Sequence, residues 1–220
     1  MIQGSVETIE ARRETTRLTH QAAKSDAMRA AILDAAVNRL SSTGYHASSI
    51  KKIAAEGDFS IGALQHHFPS KEDLMVAVAE RGLKRGEIFL TRWAEERGAA
   101  GLPELIDDSW SSHITSHWYK AMLEIFVAAR TDERLCERLA PAIAAYSREA
   151  EGRVAALATR DGTDTERLKF LITASRCMLG GFLVQDALAM SKAEIADFIA
   201  RWGEFLKAEL DRSGAKARPA

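Results

Sequence analysis

Residues able to read a polar surface crowd into one short run of this 220-residue chain. Ser60, Ile61, Gly62, Gln65, His66 and His67 follow the turn at Gly57, Asp58 and Phe59 and precede Pro69. On a short helix these side chains would stand on an element narrow enough for the major groove of B-DNA, about 12 Å wide. The N-terminus of such a helix also attracts phosphate, and Gly62 leaves room for close approach. Gln65 can pair with both edge groups of adenine or donate to a phosphate. Ser48, Ser49, Lys52 and Lys71 flank the run and are placed to meet backbone phosphates. Short helices of this kind also occur in enzyme domains, so the pattern alone leaves both readings open.

Those residues need a frame, and the flanking sequence supplies one. Met28, Ile32, Ala35, Ala36 and Leu40 recur at helical spacing, with Asp26 as a cap and Gly44 as a stop; Tyr45 should pack back on the stripe. Ser48 or Ser49 can cap a second helix near Ile50, and Ser60 a third from Ile61 to His67. Ser70, with Asp73 three residues on, opens a fourth helix that runs to about Arg97, weakened at Gly82 and Gly86. The first three helices should close around Ile32, Ala36, Leu40, Ile50, Ile53, Phe59, Leu64 and Phe68, giving a helix-turn-helix head of about 50 residues.

The run GYHASSIKKIAAEGDFSIGALQHHFPSKEDL, residues 44–74, resembles the N-terminal region of the TetR family of tetracycline-repressor-like transcriptional regulators. IKKIA at 50–54, FS at 59–60 and HHFPSKEDL at 66–74 match best, AAILDAAVNRLSSTGY matches the family's first helix, and LEIFVAARTDERL at 123–135 is similar to a stretch in a subset of its C-terminal domains. The resemblance implies a homodimeric repressor or activator of double-stranded operator DNA. Its C-terminal domain would bind a small molecule, and its last two helices would pair with their equivalents in a four-helix bundle. It also implies phosphate contacts at Ser48, Ser49 and Lys52, recognition by Ser60, Gly62, Gln65 and His66, and a closing segment at His67, Phe68 and Lys71. Gln65 departs from the family's usual tyrosine, and Asp58 stands where glycine is usual. If position 58 requires positive φ, aspartate is less at ease there than glycine, with Gly57 available to shift the turn.

Residues 1–25 read as a flexible basic arm, where Arg12, Arg13, Arg17 and Lys24 are offset by Glu14 after an acidic start. Such an arm can follow phosphates or enter a minor groove, and an ordinary solvated start is the equal alternative. Residues 26–74 form the head with its connecting helix to about 97, and 98–212 a helical effector-binding and dimerisation domain. Residues 213–220 form a disordered tail. No strand of consequence is expected, so the fold class is all-α.

Thirty Lys and Arg against 31 Asp and Glu give a net charge of −1, which excludes wholesale wrapping of nucleic acid and leaves room for a local basic face. The start has no apolar core like that of a secretory signal, and no apolar stretch reaches the length of a membrane span, so a cytoplasmic protein without membrane association is expected. Cys136 and Cys177 lack ligand spacing and read as reduced, inert thiols. His113 and His117, four apart, make an incomplete metal site, and neither metal nor cofactor is expected. No GxSxG, phosphate-loop or dinucleotide motif organises the serines, histidines and acids into an enzyme.

Two further groups are expected in the C-terminal part. Trp110, Ile114, His117, Trp118, Met122 and Phe126, with Ser175, Met178 and Phe182, should line a largely apolar ligand cavity, where Tyr119 is a further polar group. Gly180 and Gly181, with the stripe Ile195, Ile199, Trp202, Phe205, Leu206 and Leu210, should form the dimer face. A regulator without an effector, or a helical protein-interaction module, are the alternatives; the latter leaves the helix-turn-helix unexplained.

Overall fold

The computed structural model describes the backbone of residues 3–185 and 188–216, with side chains described from residue 20 to residue 212 within those limits. Among the described residues there are helices and turns and no strand, as the periodicity requires. The helices are α1 Gln3–Ala47, α2 Ile50–Glu56, α3 Ile61–His67, α4 Lys71–Arg97, α5 Leu102–Asp108, α6 His117–Ala129, α7 Glu133–Asp161, α8 Thr165–Gln185 and α9 Lys192–Lys216. They fall into two compact units, Met1–Val78 and Ala79–Ala220.

In the first unit, α1 begins far upstream of the expected cap. Asp26 lies inside it, and the segment read as an arm has helical backbone from Gln3. The Arg12, Arg13 and Arg17 side chains lie outside the described residues. Gly44 ends the regular part of α1 with φ 77, a conformation that favours glycine, and buried Tyr45 follows. Ile32, Ala36, Leu40, Ile53, Leu64 and Phe68 are buried together with Leu74, Met75 and Val78 from the start of α4, while Ile50 and Phe59 are only half-buried. Ser70 and Asp73 close the expected capping box: Asp73 Oδ2 accepts from the Ser70 amide at 2.9 Å, and Ser70 Oγ accepts from the Asp73 amide at 3.1 Å.

In the second unit, Gly98 (φ 70) stops α4, and a short 3-10 turn, Ala99–Gly101, leads into α5. Beyond α5 the chain widens into a π-type turn, Ser109–Ile114. Ser116 Oγ then caps α6 by accepting from the Tyr119 amide, so His113 and His117 share no helical face. Asp132 caps α7, which ends in a turn at Gly162 (φ 66). Helix α9 packs on α5, and α8 on α7. Leu102, Leu105, Ile106, Leu168, Leu171 and Leu179 meet Ile195, Ile199 and Leu206 in one core. Helix α9 continues to Lys216, where a disordered tail was expected from residue 213; residues 217–220 lie outside the described residues. Among the described residues no helix is long and apolar enough to cross a membrane.

Candidate functional site

The head presents α3 on a two-helix frame whose turn is tightly determined. Ser49 Oγ caps α2 by accepting from the Lys52 amide at 3.4 Å, and Ser60 Oγ caps α3 by accepting from the Ala63 amide at 3.1 Å. Between them the Phe59 amide donates to Ala54 O at 2.8 Å. The Phe59 ring folds over Gly57, where an added Cβ would fall 2.0 Å from Cε2. Gly57 is therefore needed for space and not for positive φ; the left-handed residue is Asp58, at φ 57. The shift of the turn onto Gly57 that the sequence allowed does not occur.

Leu64 and Phe68 anchor α3, which leaves Ile61, Gly62, Gln65 and His66 on one exposed face. Ile61 is 44% exposed, a large apolar side chain held in solvent. A Cβ added to Gly62 would meet nothing within 4 Å, so this face is open. Ser49, Lys52 and Ser60 are exposed, whereas His67 is half-buried and stands edge-on to His66. One expected phosphate contact is corrected, and a second residue has partners of its own within the head. Ser48 is fully buried and its Oγ donates to Gly44 O at 2.6 Å, because the chain leaving the α1 kink needs a donor there. Lys71 is half-buried, its Nζ donating to Tyr45 O at 2.8 Å and lying 3.7 Å from the centre of the Tyr45 ring. It acts as a brace across the head.

The second unit contains a cavity of about 170 Å³. Its walls come from α4 (Gly82, Leu83, Gly86, Phe89, Leu90), α5 and the π-type turn (Leu102, Leu105, Ile106, Ser109, His113, Ile114), α6 (Tyr119, Met122, Leu123, Phe126), α7 (Tyr146) and α8 (Ile172, Ser175, Arg176, Leu179). Of the expected lining, Ile114, Met122, Phe126 and Ser175 are in place, with Tyr119. Trp110 and Phe182 instead pack edge-on against each other with ring centres 6.3 Å apart, and Met178 packs against the core. Trp118 lies beneath the guanidinium groups of Arg81 and Arg85, at 5.1 and 5.2 Å, and His117 is exposed. Ser175 has no free hydroxyl to offer: Oγ donates to Leu171 O and accepts from Trp202 Nε1 at 2.8 Å.

Lining residues that sequence reasoning did not place in the cavity supply much of its shape and polarity. Gly82 and Gly86 weaken α4 but make space: Cβ atoms there would meet Met122 Sδ at 3.1 Å and His113 Nε2 at 3.3 Å. His113 is delivered inward by the π-type turn, stacked on Phe89 at 5.2 Å and edge-on to Tyr119 at 5.6 Å. Burial lowers its pKa from the ordinary 6.5, and the nearby Arg85 charge lowers it further, so the ring is held neutral. Burial raises the pKa of both Tyr119 and Tyr146, keeping the phenols protonated as donors. Tyr146 came from α7, for which the sequence offered no cavity signal; glycines spaced four apart on α4 were the signal available.

The expected dimer stripe is also redistributed. Ile195, Ile199 and Leu206 are buried in the chain's own core against α5, and Trp202 and Leu210 pack on that core. The outward apolar side chains are Phe198 and Phe205 on α9, 51% and 44% exposed, with Phe170 and Val184 on α8 and Leu188 beyond it. Gly180 is half-buried beside Tyr119 Oη, while Gly181 is exposed with open space where a Cβ would lie.

Comparison with known proteins agrees with this geometry. Residues 32–78, the buried part of α1 through the start of α4, match the family described as bacterial regulatory proteins, tetR family. An uncharacterized HTH-type transcriptional regulator of Mycobacterium bovis is 32% identical over 173 residues, covering 75% of this chain and 86% of the relative. The multidrug binding protein EbrR, solved in complex with ethidium, superposes with a TM-score of 0.53 at 25% identity, covering 84% of this chain and 97% of that one. The fatty acid degradation regulator FadR from Bacillus halodurans shares the fold, with a TM-score of 0.63 at 16% identity, covering 83% and 96% of the two chains. The helix-turn-helix head, the all-helical second unit and these relatives together establish that the chain belongs to the tetR family of bacterial regulatory proteins, as a DNA-binding transcriptional regulator and not an enzyme.

Proposed function

We propose that the protein is a homodimeric repressor of the cytoplasm that occupies an inverted-repeat operator and leaves it when a small, largely apolar effector enters the cavity. The cavity carries this reading, because Gly82 and Gly86 open space inside a unit that would otherwise close as ordinary core. Ligand complexes of EbrR support it by likeness. Helix α4 gives Leu74, Met75 and Val78 to the core of the first unit and Gly82 to Leu90 to the cavity wall of the second, so it is the element through which a packing change would be transmitted.

In this mechanism α3 enters the major groove with Gly62 against the base edges, Gln65 and His66 reading them, and Lys52 on phosphate. The protomers pair through the outward face of α8 and α9, at Phe198, Phe205, Gly181 and Val184. Two-fold pairing presents two heads to two half-sites. An effector coupling of about 1 to 3 kcal/mol lowers operator affinity roughly 5- to 150-fold, and operator lowers effector affinity by the same factor. Selection from random duplexes tests the first half: an inverted repeat is the expected product, and no enriched half-site would refute sequence-specific binding. The second half is tested by titrating a bound effector with and without that operator; equal affinity in both states would refute the coupling.

A further inference from the structure

Resting on the cavity reading above, we infer that the effector is a small aromatic or branched apolar carboxylate, whose charge is met by Arg176 and whose oxygens are held by the Tyr119 and Tyr146 hydroxyls. The polar lining carries this. Not one aspartate or glutamate lines the cavity, whereas Arg176 does. Among the described residues no carboxylate pairs with Arg176. Glu87, whose charge acts on Tyr146, is already engaged by Arg153 Nη2 at 2.6 Å and Lys84 Nζ at 2.9 Å.

The donors gather at one end. The charge of Arg176 acts on both Tyr119 and Tyr146. Tyr119 Oη lies 3.3 Å from the Cβ position of Gly180, one helical turn beyond Arg176 on α8. His113 Nε2 and Tyr146 Oη lie 3.3 and 3.8 Å from the Cβ position of Gly86. Leucine, isoleucine, phenylalanine and methionine form the rest of the wall. A lipophilic cation would enter this space with no carboxylate to receive it and a guanidinium to repel it. A carboxylate would find one cation and two phenolic donors, while its apolar body filled the remainder. A cavity of about 170 Å³ suits a single ring, since an apolar cavity of about 150 Å³ holds benzene.

Four probes differing in charge and body test the inference on the full chain by calorimetry: 4-methylbenzoate, 4-methylbenzamide, 4-methylbenzylamine and acetate. The benzoate should bind about 10- to 100-fold tighter than the amide, the span expected of charge-assisted hydrogen bonds, and tighter still than the amine or acetate. Arg176→Gln should reduce the benzoate preference to within about threefold, and Arg176→Lys should restore part of it. Arg176 is exposed at its own surface, so replacing it leaves the core intact. Amine or amide binding as tightly as benzoate overturns the anion assignment while the cavity stands. Acetate matching benzoate, or a preference that survives Arg176→Gln, also overturns it. Saturable binding of none of the probes overturns this inference and the cavity reading together.

Discussion

Lys71 Nζ donates to the carbonyl of Tyr45 at 2.8 Å and lies 3.7 Å from the centre of the same residue's ring, joining the start of α4 to the chain that leaves α1. Lys71, which the sequence places beside DNA, thus braces the head. Lys71→Ala should cost about 1 to 2 kcal/mol of stability, one hydrogen bond and one cation–π contact, measured by urea unfolding. Lys52→Ala should leave stability unchanged and flatten the salt dependence of operator binding by about one unit, because exposed Lys52 is the better phosphate contact.

Gly62 separates folding from recognition. Its Cβ position is open and it lies in the first turn of α3, so Gly62→Ala should leave the head as stable or raise its stability by up to about 1 kcal/mol. Operator affinity should nevertheless fall, since the added methyl stands on the face that approaches the bases. Thermal unfolding and fluorescence-anisotropy titration of the same variant give the two readings.

Asp58 holds a left-handed backbone and places a carboxylate beside α3. Asp58→Gly should stabilise the head by about 1 kcal/mol and tighten operator binding most at low salt, where removal of a repelling charge counts most. Binding measured across a salt series checks the second effect independently of the first.

His113 links stability to acidity. Its folded pKa lies below the ordinary 6.5, through burial first and the Arg85 charge second, so the unfolded chain binds more protons between the two values. Stability contributed here is complete above about pH 6.5 and declines as pH falls toward the folded value. His113→Gln should flatten this part of the profile, compared with the parent by unfolding midpoints from about pH 8 to 5; parallel curves would remove His113 from the account.

The faces of α9 separate pairing from folding. Phe198→Glu with Phe205→Glu should yield a folded monomer in sedimentation equilibrium, since both rings are about half exposed within one chain and lie outside its buried core. Leu206→Ala should instead cost about 2 to 5 kcal/mol as a buried core deletion. A dimer that persists in the double variant would move the interface elsewhere.

Much of the head was legible because its signals are local. Caps at Ser49, Ser60 and Ser70, the stop at Gly44, and the alternation of buried Leu64 and Phe68 with exposed Gln65 and His66 follow from hydrogen-bonding and periodicity within a few residues. That the chain is all-helical followed from the same rules. Which face of a long amphipathic helix meets its own chain did not. Ile195, Ile199 and Leu206 share α9 with Phe198 and Phe205, and periodicity marks the stripe as apolar without saying where α5 will lie. The cavity was decided at the same level. The Gly82 and Gly86 pair, Tyr146 and Arg176 are distant from one another in sequence, and only the packing of α4, α7 and α8 brings them to one space. Local sequence determines where a helix begins, ends and turns apolar; burial depends on the shape of the surface that arrives against it.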